Sequence, residues 1–135
     1  MVRKRETGRR IDVQQRYDND RAALYERYGE QMPCPFCDIR NRRKLESTET
    51  MVVLRNDYPY EYFDGRHIKE HYMIVPKRHV NVMNAFTPLE QDEYWRLLTK
   101  YQLLEYANFT RSAGDLIRTV SQHLHTHLFS YQDRT

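Results

Sequence analysis

Gln122-His123-Leu124-His125-Thr126-His127-Leu128-Phe129 places three of the chain's six histidines at alternate positions. Successive side chains of a β-strand point to opposite faces, so this run predicts His123, His125 and His127 on one face and Leu124, Thr126 and Leu128 on the other. Three imidazoles on one face are a poor way to build a core. They suit a metal site, or a nucleophile with supporting donors. The plainer alternative is a polar strand whose histidines fall there by chance. The crowding of half the histidines into five residues, between mostly apolar partners, argues against it.

Immediately upstream, Asn108-Phe109-Thr110-Arg111-Ser112-Ala113-Gly114 reads as a helix breaker, and Ile117 to Ser121 as a further strand that leads into the histidine run. Before that, Thr87-Pro88-Leu89-Glu90 has a capping hydroxyl, proline at the first helical position and glutamate three residues after the cap. It predicts a long helix from Pro88 to about Ala107. Leu89, Tyr94, Leu97, Leu98, Tyr101, Leu103 and Leu104 give that helix an apolar stripe, with Trp95 at its border. Thr50 to Leu54 and Tyr72 to Val75 read as strands, the second short, apolar and ended by Pro76. Asn56 to Pro59 reads as a turn. Asp64-Gly65 marks a hairpin tip inside an enlarged connection, Glu61 to Glu70. The whole is an α+β chain with an antiparallel sheet of about five strands, one long helix and a short N-terminal helix.

Cys34 and Cys37 are the chain's two cysteines, set as Cys-x-x-Cys with Pro33 and Pro35 around Cys34. That spacing favours metal or redox work over a disulfide framework, with a pair of buried thiols as the alternative. Two histidines could complete a tetrahedral Cys₂His₂ site.

A length of 135 residues allows one core. Two segments are expected: residues 1–32, a basic arm and short helix, and residues 33–135, the histidine-bearing domain. No apolar run is long enough to span a membrane, and no apolar stretch follows the charges of Met1 to Arg10, so a cytoplasmic protein is expected. Residues 1–44 carry twelve Lys/Arg against seven Asp/Glu, while the rest of the chain carries ten against twelve. The basic excess invites nucleic-acid binding. A solvated arm is the preferred reading, since few aromatics lie among the first ten residues. On that reading Met1 to Gln14 is a mobile or helical arm, and removing Met1 to Arg10 should not affect turnover of small substrates. A short helix is expected from Asn19 to Tyr28, capped by Asp18 and ended by Gly29.

The histidine run resembles the His-x-His-x-His signature of the histidine triad family. Four further segments are similar to that family's motifs, in the same order: Cys34-Pro35-Phe36-Cys37-Asp38-Ile39, Asn56-Asp57-Tyr58-Pro59-Tyr60, His71 through Val80 with its Pro76-Lys77-Arg78-His79, and Thr87-Pro88-Leu89-Glu90. The likeness is greatest to the zinc-bearing, dinucleoside-polyphosphate phosphorylase-like branch. It implies a nucleotide hydrolase or nucleotidyl transferase that acts at an α-phosphate through a nucleotidyl-histidine. His125 would be the nucleophile, with a third metal ligand as its other reading, and His127 and Gln122 would assist. Asn56, Asn108, Thr119 and Ser121 would bind substrate. Cys34, Cys37, His79 and His123 would hold a structural zinc. A homodimer through the long helix is also implied. Two departures bear on specificity. The segment between Gly114 and His123 is about three residues longer than in the relatives it resembles, and Ser130-Tyr131 replaces a frequent Pro-Arg. Two other functions stand beside this one: a non-catalytic nucleotide-binding or regulatory module, and a nucleic-acid-end processing enzyme that uses the basic arm.

Overall fold

A computed structural model describes residues 8–111 and 123–132. Among them are two α-helices and six strands in an α+β arrangement. Helix α1 is Ile11–Tyr28. Strands β1 (Lys44–Ser47), β2 (Met51–Arg55), β3 (Tyr62–Phe63) and β4 (Arg66–Pro76) follow, then α2 (Pro88–Leu103), β5 (Ala107–Phe109) and β6 (Thr126–Tyr131). The sheet is antiparallel in the order β1-β2-β4-β6-β5, with β3 folded back on β4.

The two central strands explain the layers. Met51 to Leu54 of β2 and the second half of β4 are continuously buried, as strands covered on both faces must be. Under α2 lie Met51, Val53, Tyr72, Ile74 and Leu128, packed on Tyr94, Leu97 and Tyr101 of the helix. The opposite face carries Val52, Leu54, Met73 and Val75, covered by Phe36 of the cysteine loop. His127 pairs with Met73 across β4 and β6, and His71 with Phe129, so these residues share the second face. Leu124, Thr126 and Leu128 point toward α2, where Thr126 Oγ1 lies 2.7 Å from Tyr94 Oη.

Several elements are as the sequence predicts. Thr87 caps α2 with the full reciprocal box: its hydroxyl accepts from the Glu90 N–H while the Glu90 carboxylate accepts from the Thr87 N–H. Asp64 and Gly65 both take positive φ, 55° and 70°, at the β3–β4 tip, the backbone of a two-residue turn whose twist matches its strands. Other boundaries differ. The α2 helix ends at Leu103 rather than near Ala107, because Glu105 turns to φ 69° and the chain re-enters the sheet as β5. Of the predicted stripe only Tyr94, Leu97 and Tyr101 are fully buried; Leu89, Leu103 and Leu104 are exposed, as is Trp95 at 70 %. The N-terminal helix has 18 residues and starts at Ile11, so Asp18 is inside it and caps nothing. Gly29 does end it, at φ 61°. The edge strand β1, built on a basic-to-acidic stretch with little apolar signal, has no counterpart in the predicted set. The predicted strand Ile117 to Ser121 lies outside the described residues.

Candidate metal centre and histidine cavity

Cys34 and Cys37 bracket a tight turn in which the Cys37 N–H donates to the Cys34 carbonyl at 3.2 Å. The turn sets both sulfurs over the sheet face that carries His123. The ligand atoms of Cys34, Cys37, His79 and His123 all lie within 4.8 Å of one another, close enough to hold one metal ion. The separations can be tested against a real ion. A tetrahedral zinc with its usual bond lengths has N–N edges of about 3.3 Å and S–N edges of about 3.6 Å. Here His79 Nδ1 and His123 Nδ1 are 3.2 Å apart. His123 Nδ1 is 3.4 Å from Cys34 Sγ and 3.6 Å from Cys37 Sγ, with Cys37 Sγ to His79 Nδ1 at 3.0 Å. Three of these separations lie within about 0.2 Å of such edges and the Cys37–His79 one is shorter, so the four residues are placed to hold a metal ion. The His123 Nε2–H donates to the Pro76 carbonyl at 2.7 Å, which leaves Nδ1 as the lone-pair nitrogen aimed at the thiols. Burial and the Cys34 sulfur push the Cys37 thiol up to about 11; a bound divalent cation would reverse that and hold the thiolate.

Two residues further, the tautomer is reversed. His125 Nδ1 lies 3.1 Å from the His123 carbonyl. A carbonyl only accepts, so in the neutral ring Nδ1 carries the proton and Nε2 the lone pair. The His125 ring lies between Phe36, 4.9 Å between centroids, and His127, 5.1 Å.

His71 governs His127. The Tyr60 N–H donates to His71 Nδ1 at 3.1 Å, so that nitrogen must be the acceptor and the His71 proton sits on Nε2. His71 Nε2–H then donates to His127 Nδ1 at 2.8 Å. His127 is thereby left with its proton on Nε2, a buried atom with no partner among the described residues. Burial first, and neighbouring cations second, hold both rings well below the usual histidine range, so both are neutral near pH 7. A ring with its lone pair on Nε2, His125, and a ring with its proton on Nε2, His127, thus lie with centroids 5.1 Å apart.

They face a cavity lined by Phe36, Tyr58, Tyr60 and Met73, together with residues of and just before α1. From Gly8 on, the N-terminal segment is tied to this domain rather than solvated. Gly8 O accepts from the N–H groups of Glu61 and Tyr62, at 2.8 and 3.0 Å. Arg9 and Tyr17 line the histidine cavity itself. Arg16 donates to the Asp57 carbonyl at 2.7 Å, and the Tyr58 hydroxyl to Asp20 at 2.6 Å.

Of the substrate-binding residues predicted, Asn56 lines the cavity. Its Oδ1 accepts from the Tyr58 N–H at 2.8 Å, while Nδ2 lies 3.2 Å from His71 Nε2. Asn108 is not brought to the histidines: it is exposed on β5 opposite Leu128, whose side chain faces α2. Thr119, Ser121 and Gln122 lie outside the described residues. His71 has a place here that no role was predicted for, although it opens the His71–Val80 segment. The signal was available: His71 and Met73 are two apart on a strand, so the histidine shares a face with a core residue.

No family model matches the chain, and no curated protein matches its sequence. Solved structures do match. A HIT family hydrolase from Legionella pneumophila Philadelphia 1 superposes with a TM-score of 0.55 at 17 % identity, over 76 % of this chain and 96 % of that one. A histidine triad nucleotide-binding protein from Candida albicans gives 0.56 at 21 % identity, over 75 % and 76 %. A HIT family hydrolase from Clostridium thermocellum gives 0.56 at 18 % identity, over 76 % and 93 %. The chain therefore has the fold of the histidine triad proteins.

Proposed function

We propose that the protein is a nucleotide hydrolase or nucleotidyl transferase that works through a nucleotidyl-histidine on His125. The observation that carries this reading is the opposite tautomers of two rings that line one cavity, His125 with its proton on Nδ1 and His127 with its proton on Nε2. The Nε2 lone pair attacks the α-phosphorus of a nucleoside phosphate derivative. The N–P bond forms as the bond to the leaving group breaks, and the leaving group departs with that electron pair. Positive charge develops on the His125 ring, where the Nδ1–H bond to the His123 carbonyl strengthens with it. His127 Nε2–H donates to a phosphoryl oxygen and stabilises the charge that builds there. Water then attacks phosphorus and releases a proton to solvent, the N–P electron pair returns to Nε2, and a nucleoside monophosphate leaves. Another acceptor in place of water would make the protein a transferase.

Cys34, Cys37, His79 and His123 would hold the zinc. Four protein ligands leave it no open position, so its part is to tie the cysteine loop to the sheet beside the nucleophile. The homodimer implied by family resemblance would cover the outward side of α2, where Trp95, Leu103 and Leu104 are exposed. No helix among the described residues is long and apolar enough to cross a membrane, in keeping with a cytoplasmic nucleotide enzyme.

The test is rapid alkaline quench during turnover of adenosine and guanosine phosphoramidates and polyphosphates. Nucleotide bound to protein through an acid-labile, base-stable bond, absent in His125→Ala, is the expected result. Nucleotide binding with no turnover of any of these would instead favour the non-catalytic module.

A further inference from the structure

Arg9 enters the histidine cavity from outside the sheet. Helix α1 buries no residue and its N-cap makes no side-chain bond, so neither a core nor a cap explains where it lies. The anchor is the residue pair before it. Gly8 has φ +78°, and a Cβ there would stand 2.2 Å from the Tyr62 carbonyl oxygen, so only glycine permits the contact. Arg9 follows. Its Nε–H donates to the Tyr58 carbonyl at 2.7 Å and its Nη1 to Gln14 Oε1 at 3.1 Å. The guanidinium lies between the rings of Tyr17 and Tyr60, 4.5 and 4.9 Å from their centroids. Tyr60 in turn stacks on His127 at 5.6 Å and meets His71 edge-on at 4.7 Å. A second guanidinium, Arg111, donates to the Tyr60 hydroxyl at 3.2 Å and lines the same cavity.

Two guanidiniums thus flank the tyrosine that backs two neutral histidines. Burial lowers the pKa of Arg9, and Arg111 acts in the same direction. An anion in the cavity offsets both effects. A guanidinium is the cation best suited to phosphate, which it recognises through directed N–H groups as well as charge. His125 and His127 already serve the phosphate that is attacked.

We infer that Arg9 is a specificity-determining residue that binds a second phosphate, the one bonded to the phosphate His125 attacks. The cavity would then select nucleotides with linked phosphates over monophosphate derivatives with uncharged leaving groups. The inference rests on the nucleotidyl-histidine reading.

The test is equilibrium binding of the 5′-mono- and diphosphates of adenosine and guanosine to the full-length chain, its Arg9→Gln and Arg9→Lys variants, and Gly8→Ala. Amide exchange at Glu61 and Tyr62 reports in parallel whether the Gly8 anchor is seated. The wild type should prefer diphosphate. Arg9→Gln should weaken diphosphate at least ~tenfold and monophosphate less than ~threefold, with Arg9→Lys between, because an ammonium lacks the planar fork. Gly8→Ala should free both amides and lose the diphosphate preference. If Arg9→Gln also frees the amides, Arg9→Lys with amides protected must still lose part of the preference. Equal loss of both nucleotides in Arg9→Gln with amides protected would make Arg9 a staple for α1 and overturn the inference. So would tighter binding of both, or a wild type without preference. A wild type that binds none of the four nucleotides would remove the underlying functional reading as well, an outcome distinct from all of these.

Discussion

His123 and His125 are two residues apart, both buried, on the same side of the same chain segment, and they do opposite things with their rings. His123 gives its Nε2 proton to the Pro76 carbonyl and turns Nδ1 to the cysteines. His125 gives its Nδ1 proton to the His123 carbonyl and lines the cavity. In each case one backbone acceptor selects the tautomer, and the tautomer decides which chemistry the ring can do: ligation through Nδ1 or, on the proposed reading, attack through Nε2. The His-x-His spacing supplies the rings. The carbonyls assign the roles.

The sharpest way to break this contrast is to disable each of its two sides. His125→Ala should lower turnover by at least ~10³-fold, a barrier increase of at least ~4 kcal/mol, while nucleotide binding persists through the cavity wall and His127. Steady-state kinetics and calorimetry on one sample decide it. Turnover within tenfold of wild type would end the assignment of the nucleophile, and loss of bound metal together with folding would make His125 a ligand. Cys34→Ser should do the reverse, with loss of bound metal and of stability on the order of 3 kcal/mol. Metal content by emission spectrometry and a urea titration check it. A variant as stable as the wild type, from protein purified without chelator, would leave two free thiols in place of a metal centre.

The contrast between neutral, paired rings and exposed ones can be sharpened by pH. His71 and His127 have folded pKa values depressed by burial, whereas in the unfolded chain both titrate near the ordinary value of about 6.5. As pH falls below about 6.5 the unfolded state takes up protons that the folded state refuses. Stability is therefore full above that pH and is lost on acidification, by up to about 1.4 kcal/mol per pH unit for each ring. His71→Phe should remove one of the two contributions and flatten the slope between pH 6.5 and 5. It should also lower turnover by roughly 10²-fold, about 2.7 kcal/mol, because His127 is no longer fixed with its proton on Nε2. An unchanged pH slope would show that His71 is not held neutral.

How much of this could be read from the chain follows from the range of the forces involved. The capping box of α2, the Asp64-Gly65 turn, the alternation of the histidines and the Cys-x-x-Cys loop are local, and their residues name their partners within a few positions. The metal cluster needed two loops brought together over a sheet, and only resemblance supplied the partners His79 and His123. His71, set against His127 by strand pairing, needed the register of β4 on β6. The position of α1 was the least legible. It depends on a glycine carbonyl, an arginine between two tyrosines and a tyrosine–aspartate bond, and none of these leaves a periodic mark. Helix α1 buries no residue, so its sequence does not show what it lies against. Asn108 illustrates the opposite error. Its motif is local and present, yet pairing with Leu128 turns it to the other face.

The smallest expected effect concerns Asn56, which stands where a ribose contact is predicted. Its amide oxygen already accepts from the Tyr58 N–H two residues on, a turn that shapes the cavity rim, and its Nδ2 packs against His71 and Met73. Both ends of the side chain thus have work within the protein. Asn56→Ala should cost about 1 kcal/mol of stability, the value of one partly buried hydrogen bond. It should weaken ribo- and deoxyribonucleotides by the same modest factor, because the rim loosens for both. Paired binding isotherms with a nucleotide and its 2′-deoxy analogue measure this directly. The carbonyl oxygen has a second lone pair, which a ribose hydroxyl could still use. A loss of roughly 1–3 kcal/mol confined to the ribonucleotide would be the cost of leaving that hydroxyl unpaired, and would return Asn56 from the turn to the substrate.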